Sequence, residues 1–404
     1  MPAAKEQNRQ LTTEKQPALD LASLPPIDSL VLDSCSEIEW EQTCRLNAAE
    51  WKGFLSYSDY LNRERILANT EITREGGGTA WILTCDKLPR APDGSRAILA
   101  SCETNRKNAY VAKDGKLEKV VAHGIGSVYT RSEYRGKGYA AKMLQEIGRK
   151  LNSYQQVKNN KGHFSVLYSD IGPKFYARHG WNPFASTHIC LQAIDNQGEY
   201  YQRLAEITPR RETKDLTIDD VHSLAPSWAA HLESQLINLS ATNPSKAYVA
   251  FKPEPAQFEW HFMREEFLAE NLGNNKPVVK GAIDTKTGTA VVWARTYGSD
   301  SAQWHLSVLY THIPTDADLA QDELRTALST LMLRAQWEAK QWNMAAGVEI
   351  WDPKELVVAA AQTIAHGQDV KIILRDQEHI CSLRWNGPET DEVVWVANER
   401  FAWC

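Results

Sequence analysis

The residues of this chain best suited to chemistry form a short glycine-rich turn, Arg135-Gly136-Lys137-Gly138. The turn follows an apolar stretch at residues 125–129 and precedes apolar residues at helical spacing, namely Met143, Leu144, Ile147 and Leu151. A strand, turn and helix in this order place unpaired backbone N–H groups and the positive end of the helix dipole at the turn. Arg135 and Lys137 add positive charge, and the glycines allow close approach of the backbone. The pattern therefore predicts a phosphate or pyrophosphate site, although an exposed basic loop would have the same residues.

A second pattern lies downstream of the turn. Residues 164–170 favour a strand, and Phe175-Tyr176 and Gly180-Trp181 follow it at short intervals. The spacing Arg135-x-x-Gly138-x-Ala140 resembles the acetyl-CoA pyrophosphate motif of the GCN5-related N-acetyltransferases. The downstream pattern resembles that family's other hallmark, a strand followed by a short helix with Phe-Tyr and then by Gly and an aromatic residue. The resemblance implies acetyl-CoA as cosubstrate, bound by Arg135, Gly136, Lys137, Gly138, Tyr139 and Ala140.

Further segments narrow the resemblance. Residues 98–104, 124–129, 133–139, 167–172 and 398–404 are similar to the lysine N6-acetyltransferase family of yeasts and filamentous fungi. This resemblance implies acetyl transfer to the ε-amine of free L-lysine, the first step of a lysine catabolic route. It also implies that backbone N–H groups near Ser127, Val128 and Tyr129 hold the acetyl and pantetheine arm, and that Tyr176 protonates the departing thiolate.

Composition sets the broad class of the protein. The chain has 404 residues, 43% of them hydrophobic and 24% charged, with a net charge of −6, which indicates a folded protein of two domains rather than a nucleic-acid binder. No apolar run approaches the roughly 18 residues of a membrane span, and the polar N-terminus lacks a signal-peptide core. The seven cysteines are widely spread without metal-ligand spacing. We therefore expect a cytoplasmic protein without a metal.

The order of elements predicts an α/β fold with helices on both faces of a mixed sheet. We expect a disordered leader over residues 1–26, an acetyl-CoA-binding acetyltransferase domain over 27–193, an irregular linker over 194–215 and a second domain over 216–404. The second domain repeats the hairpin, strand and long helix of the first without the glycine turn. It is interpreted as a degenerate acetyltransferase-like repeat, the alternative being an unrelated α+β domain.

Acetylation of a lysine amine needs a base, because the ε-ammonium has a pKa of about 10.4 and is protonated at pH 7. Glu103 and Asp170 are the candidates, since each lies on a strand expected to border the cleft. A third candidate is the terminal carboxylate of Cys404, because in some multidomain acetyltransferases of similar length the terminal carboxylate enters the active site.

Free lysine also needs a partner for its α-carboxylate, for which Arg106 and Arg295 are candidates. The aromatic and charged helix over residues 258–266 is interpreted as a packing helix rather than a pocket wall. Two other functions stay open: acetylation of polyamines or protein lysines, and a non-catalytic regulator that binds acetyl-CoA.

Overall fold

The structure is a computed structural model that describes residues 24–156, 163–315, 318–366 and 369–403. Most of the expected leader therefore lies outside the described residues. The N-terminal half contains strands β1 (Val31–Ser34), β2 (Gly78–Thr84), β3 (Ala100–Lys113), β4 (Lys116–Thr130), β5 (Phe164–Ser169), β6 (Asn182–Pro183) and β7 (Thr187–Leu191). Its helices are α1 (Glu37–Trp51), α2 (Tyr57–Leu67), α3 (Tyr139–Lys150) and α4 (Lys174–Ala177).

The C-terminal half, from residue 194 onward, contains the remaining elements. Its helices are α5 (Gln197–Glu206), α6 (Ile218–Thr242), α7 (Pro255–Asn271), α8 (Gln321–Gln341) and α9 (Glu355–Thr363). Its strands are β8 (Thr213–Leu216), β9 (Lys246–Phe251), β10 (Gly281–Asp284), β11 (Ala290–Thr296), β12 (His305–His312), β13 (Val348–Trp351), β14 (Ile373–Leu374), β15 (Ile380–Trp385) and β16 (Glu392–Trp395).

The strands form two mixed sheets that do not follow the halves of the sequence. The first sheet has the order β1-β2-β3-β4-β5-β15-β6, and in addition β9 pairs with β3 and β16 pairs with β9. The second has the order β14-β7-β13-β12-β11-β10-β8. Strand β15 of the C-terminal half thus lies between β5 and β6, and strand β7 of the N-terminal half lies between β13 and β14. Because the halves exchange strands, each sheet is complete only when both halves are folded together.

Helix α3 packs on the first sheet through the apolar residues that the sequence places at helical spacing. Met143, Leu144 and Ile147 are fully buried, and they join a core with Trp81 and Leu167. The expected amphipathic helix is confirmed, although it begins at Tyr139, because Gly138 adopts a left-handed conformation that ends the preceding turn.

The α/β class is confirmed, and the C-terminal half repeats the order of elements of the N-terminal half. Strands β10, β11 and β12 form an antiparallel meander, and α8 leads from β12 to the parallel strand β13. The same order of strands and crossover helix occurs in β2, β3, β4, α3 and β5.

The expected irregular linker is wrong in part. Asn196 caps helix α5 by accepting a hydrogen bond from the backbone of Glu199, and β8 begins at Thr213. An asparagine cap satisfies a backbone N–H that would otherwise be unpaired, so a short charged segment can form a helix here. Among the described residues, no helix is both long and apolar enough to span a membrane.

Candidate active site

A cavity of about 1010 Å³ opens where strands β4 and β5 separate. The parallel pairing of the two strands ends at Ile125 and Leu167, and both residues line the cavity. Beyond this point the strands no longer close the sheet between them. The separation leaves a gap into which an extended ligand arm could insert.

A β-bulge lies in β4 at the edge of this gap. Strand β3 pairs Ser101 with Tyr129 and Glu103 with Gly126, so Ser127 and Val128 together oppose the single residue Cys102. Ser127 has a φ of 52°, which is rare for a residue with a side chain. A bulge interrupts the ladder of backbone hydrogen bonds and redirects the groups of the extra residue. Ser127 and Val128 both line the cavity.

Glu103 lies in the cavity beside the bulge. Its carboxylate accepts hydrogen bonds from the Ser127 hydroxyl at 3.0 Å and from the Trp40 side chain. Burial, together with the nearby charge of Glu64, raises the pKa of Glu103 to about 7 in spite of these hydrogen bonds. A carboxyl group with a pKa near neutral can accept a proton and release it at physiological pH.

Tyr176 approaches the same cavity from the short helix α4. Its side chain is largely buried and stands edge-on to Phe175, with ring centroids 5.2 Å apart. Burial, with the nearby Asp170 and Cys102, raises the pKa of the Tyr176 hydroxyl well above its usual value. The hydroxyl is therefore protonated at neutral pH and can act as a proton donor.

Asp170 lines the cavity but has a different environment. Its Oδ1 atom accepts a hydrogen bond from the backbone N–H of His379 at 3.0 Å and lies 3.1 Å from His379 Nδ1. Burial alone would raise the pKa of Asp170, but these His379 interactions outweigh it and hold the pKa below the usual value. A carboxylate of low pKa is a weak base, so the environments of Glu103 and Asp170 separate the two candidates.

The glycine turn lies outside the cavity lining, at the N-terminus of α3. Gly136 and Gly138 have φ values of 77° and 81°, which only glycine adopts without strain. Arg135 and Lys137 are exposed. Arg135 also lies 3.5 Å from Glu50 and 5.8 Å above the Tyr129 ring. The backbone and charges of this turn suit a diphosphate approaching from solvent.

Tyr139 and Ala140, also expected at the coenzyme turn, are less exposed than the rest of it. The Tyr139 ring is buried against Tyr134, and its hydroxyl donates a hydrogen bond to Pro25 O at 3.2 Å. Only its backbone can therefore contact a ligand at the turn. Ala140 follows in the first turn of α3 and is half-buried.

Neither arginine expected to bind a substrate carboxylate reaches the cavity. Arg106 is exposed and lies on the opposite face of β3 from Glu103, because it is an odd number of residues away and successive side chains alternate between faces. Arg295 is fully buried in an ion-pair network with Glu265 at 3.1 Å and with Glu338. Its neighbour Thr296 lines the cavity instead. Cys404 lies outside the described residues.

The C-terminal half supplies a cavity wall that the sequence argument missed. Trp260 and Arg264 lie one turn apart on α7 and line the cavity together with Arg400 and Trp403. The helix over residues 258–266 is therefore both a packing helix and a wall. The i, i+4 spacing of Trp260 and Arg264 indicates that the two side chains share one face of the helix. The sequence does not indicate which face of the helix meets the site.

Comparisons with known proteins agree with this geometry. A family model described as LYC1 GNAT-like C-terminal domain matches residues 197–404, which is more than half of the chain. A second model, described as Acetyltransferase (GNAT) domain, matches residues 114–184, which include the bulge, the glycine turn and Tyr176. This chain belongs to the GNAT acetyltransferases. It is an N-acetyltransferase enzyme related to the fungal lysine acetyltransferases.

Two fungal proteins illustrate the relationship. The Uncharacterized protein YGR111W of Saccharomyces cerevisiae is 24% identical over 405 residues, which cover 93% of this chain and 98% of that protein. A protein named Lysine acetyltransferase from Yarrowia lipolytica is 27% identical over 278 residues, which cover 60% of this chain and 67% of that protein.

Solved structures share the fold of this chain over both halves. Saccharomyces cerevisiae N-myristoyltransferase with bound myristoyl-CoA has a TM-score of 0.51 at 12% identity, covering 93% of this chain and 82% of that one. A probable N-acyltransferase from Enterococcus faecalis has a TM-score of 0.50 at 12% identity, covering 88% and 72%. At such identities the likeness concerns the fold alone.

Proposed function

We propose that this GNAT enzyme transfers the acetyl group of acetyl-CoA to the ε-amine of free L-lysine, giving N6-acetyl-L-lysine for lysine catabolism in the cytoplasm. The observation that carries the chemical part of the proposal is Glu103, a carboxyl group of pKa about 7 beside the β4 bulge. The name of the Yarrowia relative and the similar sequence segments support lysine as the acceptor.

Glu103 removes the proton that keeps the acceptor amine from reacting. The ε-ammonium is a stronger acid when it enters a site of low polarity, and a Glu103 pKa of about 7 allows the ionised carboxylate to be present at neutral pH. Ser127 and Trp40 hold the carboxylate in place through their hydrogen bonds, so its orientation does not depend on the substrate. Transfer of the proton to Glu103, directly or through a water, leaves a neutral amine in the cavity.

The bulge and Tyr176 meet two further requirements of the reaction, which are stabilisation of the negative charge on the carbonyl oxygen and protonation of the departing sulfur. A backbone N–H of Ser127 or Val128 donates to the carbonyl oxygen on which negative charge develops during transfer. Tyr176 supplies a proton to the sulfur as the carbon–sulfur bond breaks, and its high pKa keeps the hydroxyl protonated until then. The Tyr176 oxygen regains a proton, directly or through water, from the attacking nitrogen, which must lose its second proton to become the amide. The bulge and Tyr176 line one cavity with Glu103, which supports these roles in a single reaction.

The residues of the glycine turn fit a coenzyme diphosphate. When bound, acetyl-CoA supplies the thioester whose carbonyl carbon the amine attacks. Space around Gly136 is open, since no atom lies within 4 Å of the point that a Cβ would occupy. The backbone of the turn and the exposed Arg135 and Lys137 would hold the diphosphate, while the gap between β4 and β5 would take the pantetheine arm.

The test is release of free thiol from acetyl-CoA with L-lysine, ornithine, spermidine and an internal lysine peptide as acceptors. Mass spectrometry identifies the acetylated nitrogen. The proposal predicts selective turnover of L-lysine at Nε. Preferred turnover of spermidine or the peptide would contradict lysine as the substrate while leaving the acetyltransferase chemistry intact. Coenzyme binding without turnover of any amine would instead support the regulator.

A further inference from the structure

One arginine of the cavity differs from its neighbours, because no carboxylate among the described residues forms a direct ion pair with it. Arg63 pairs with Glu64 at 2.6 Å, Arg400 lies 3.7 Å from Glu349, and the exposed Arg65 pairs with Glu41. Arg264 lines the same cavity. Within the part of the chain that the structure describes, its guanidinium makes no ion pair and no hydrogen bond.

Aromatic side chains hold Arg264 at the cavity wall. Its Cζ atom lies 5.7 Å from the centroid of the Trp403 ring, and Trp403 in turn meets Trp260 edge-on with centroids 6.0 Å apart. Stacking on an aromatic ring orients a guanidinium but leaves its planar set of N–H donors unused. An arginine placed in this way presents a fork that matches the two oxygens of a carboxylate.

The electrostatics around Arg264 favour an anion. Burial and the neighbouring Arg63 and Arg400 together lower the pKa of Arg264 to about 9, although Glu64 acts in the opposite direction. The guanidinium is partly buried, and the lowered pKa indicates that burial and the two arginines outweigh the nearby carboxylate. A bound carboxylate would lower the electrostatic cost of this arrangement, whereas a polyamine would raise it.

Arg264 and Glu103 belong to one electrostatic environment. The Arg63–Glu64 ion pair contributes to the pKa of each of them, so both groups lie near this pair. An acceptor could therefore reach the base with its amine while a second, anionic group remains at Arg264. That arrangement requires a molecule with an amine at one end and a carboxylate at the other.

We propose that Arg264 binds the α-carboxylate of the acceptor and so makes the enzyme select free amino acids over polyamines and internal peptide lysines. The inference rests on the proposed function, because it assigns a specificity residue to that reaction. Arg264 takes the role that the sequence argument gave to Arg106 or Arg295.

The first test uses the unaltered enzyme and needs no variant. Cadaverine is lysine without its carboxylate, and 6-aminohexanoate is lysine without its α-amine. We expect kcat/KM for 6-aminohexanoate to exceed that for cadaverine by about 100-fold, the usual effect of losing a charge-assisted, bidentate contact. Equal values for the two compounds would overturn the role of Arg264 but leave lysine acetylation standing. Failure of L-lysine itself to react would reject the proposed function.

The second test assigns the preference to Arg264. In Arg264→Met we expect the preference for 6-aminohexanoate over cadaverine to disappear, and Arg264→Lys should restore part of it, since it keeps the charge but not the fork. Arg106→Met, an exposed arginine outside the cavity, is the matched control and should keep the full preference. Thermal unfolding and coenzyme binding establish that each variant is folded. A folded Arg264→Met enzyme with the wild-type preference would overturn the inference.

Discussion

The Ser127 hydroxyl donates a hydrogen bond of 3.0 Å to Glu103 across the hairpin of β3 and β4. Gly126 is the residue of β4 that pairs with Glu103, and Ser127 follows it directly. Ser127 reaches the carboxylate because the bulge gives it a φ of 52° at this position. One local irregularity therefore both positions the candidate base and frees backbone groups for the developing negative charge.

Replacement of Gly138 should weaken coenzyme binding. An added Cβ would lie 3.0 Å from Ile27 Cδ1, and the φ of 81° is strained for any other residue. Because the strain of about 1–2 kcal/mol falls in the turn itself, Gly138→Ala should raise the KM for acetyl-CoA by about tenfold. Initial rates at saturating L-lysine measure this.

Gly94→Ala is the matched control for this prediction. Gly94 has a φ of 84° with no atom within 4 Å of an added Cβ, and its backbone hydrogen bond goes to Ala91 within its own loop. The control should lose a similar amount of stability without a change in the KM for acetyl-CoA. An equal rise in both variants would argue against a coenzyme site at the turn.

Loss of the Tyr176 hydroxyl should slow the reaction more than it weakens binding. Tyr176→Phe keeps the ring that packs against Phe175 but removes the proton donor. We expect kcat to fall by about 100-fold, with KM values for both substrates nearly unchanged. Tyr154→Phe is the control, since Tyr154 also lines the cavity but its hydroxyl lies 3.1 Å from Thr79 Oγ1. Equal rates for the two variants would remove Tyr176 as the acid.

Arg295 should matter for stability rather than for substrate binding. Arg295→Met would leave Glu265 and Glu338 buried with one fewer partner, which typically costs about 3–5 kcal/mol of the free energy of unfolding. Arg325→Met, which removes an exposed pair with Asp322, should cost less than about 1 kcal/mol. Urea unfolding measures both. A raised KM for L-lysine with unchanged stability would return Arg295 to the acceptor site.

Local features of the fold followed from the sequence, whereas long-range ones did not. The buried face of α3 is visible in the spacing of Met143, Leu144 and Ile147, because helical periodicity depends only on nearby residues. The exchange of β7 and β15 between sheets depends on pairing partners about two hundred residues apart, such as Leu167 with Ser382. No local pattern encodes such a partner.

The candidate site divides in the same way. The glycine turn and Tyr176 lie in short motifs and could be predicted. Glu103 could be named only as one of several carboxylates, since its pKa is raised by burial and by Glu64 and its hydrogen bonds come from Ser127 and Trp40, all of which depend on other elements. Arg264 was missed because the sequence does not show which face of α7 meets the cavity.

The pH dependence of lysine acetylation tests the role of Glu103 most directly. The Glu103 carboxyl has a pKa raised to about 7, so it is protonated and inactive as a base below that pH and ionised above it. For the wild-type enzyme, kcat/KM for L-lysine should rise with pH through an apparent pKa near 7. Glu103→Gln should lose at least about 100-fold in kcat/KM, and that rise should disappear. A Glu103→Gln enzyme that keeps both the rate and the rise near pH 7 would contradict this account.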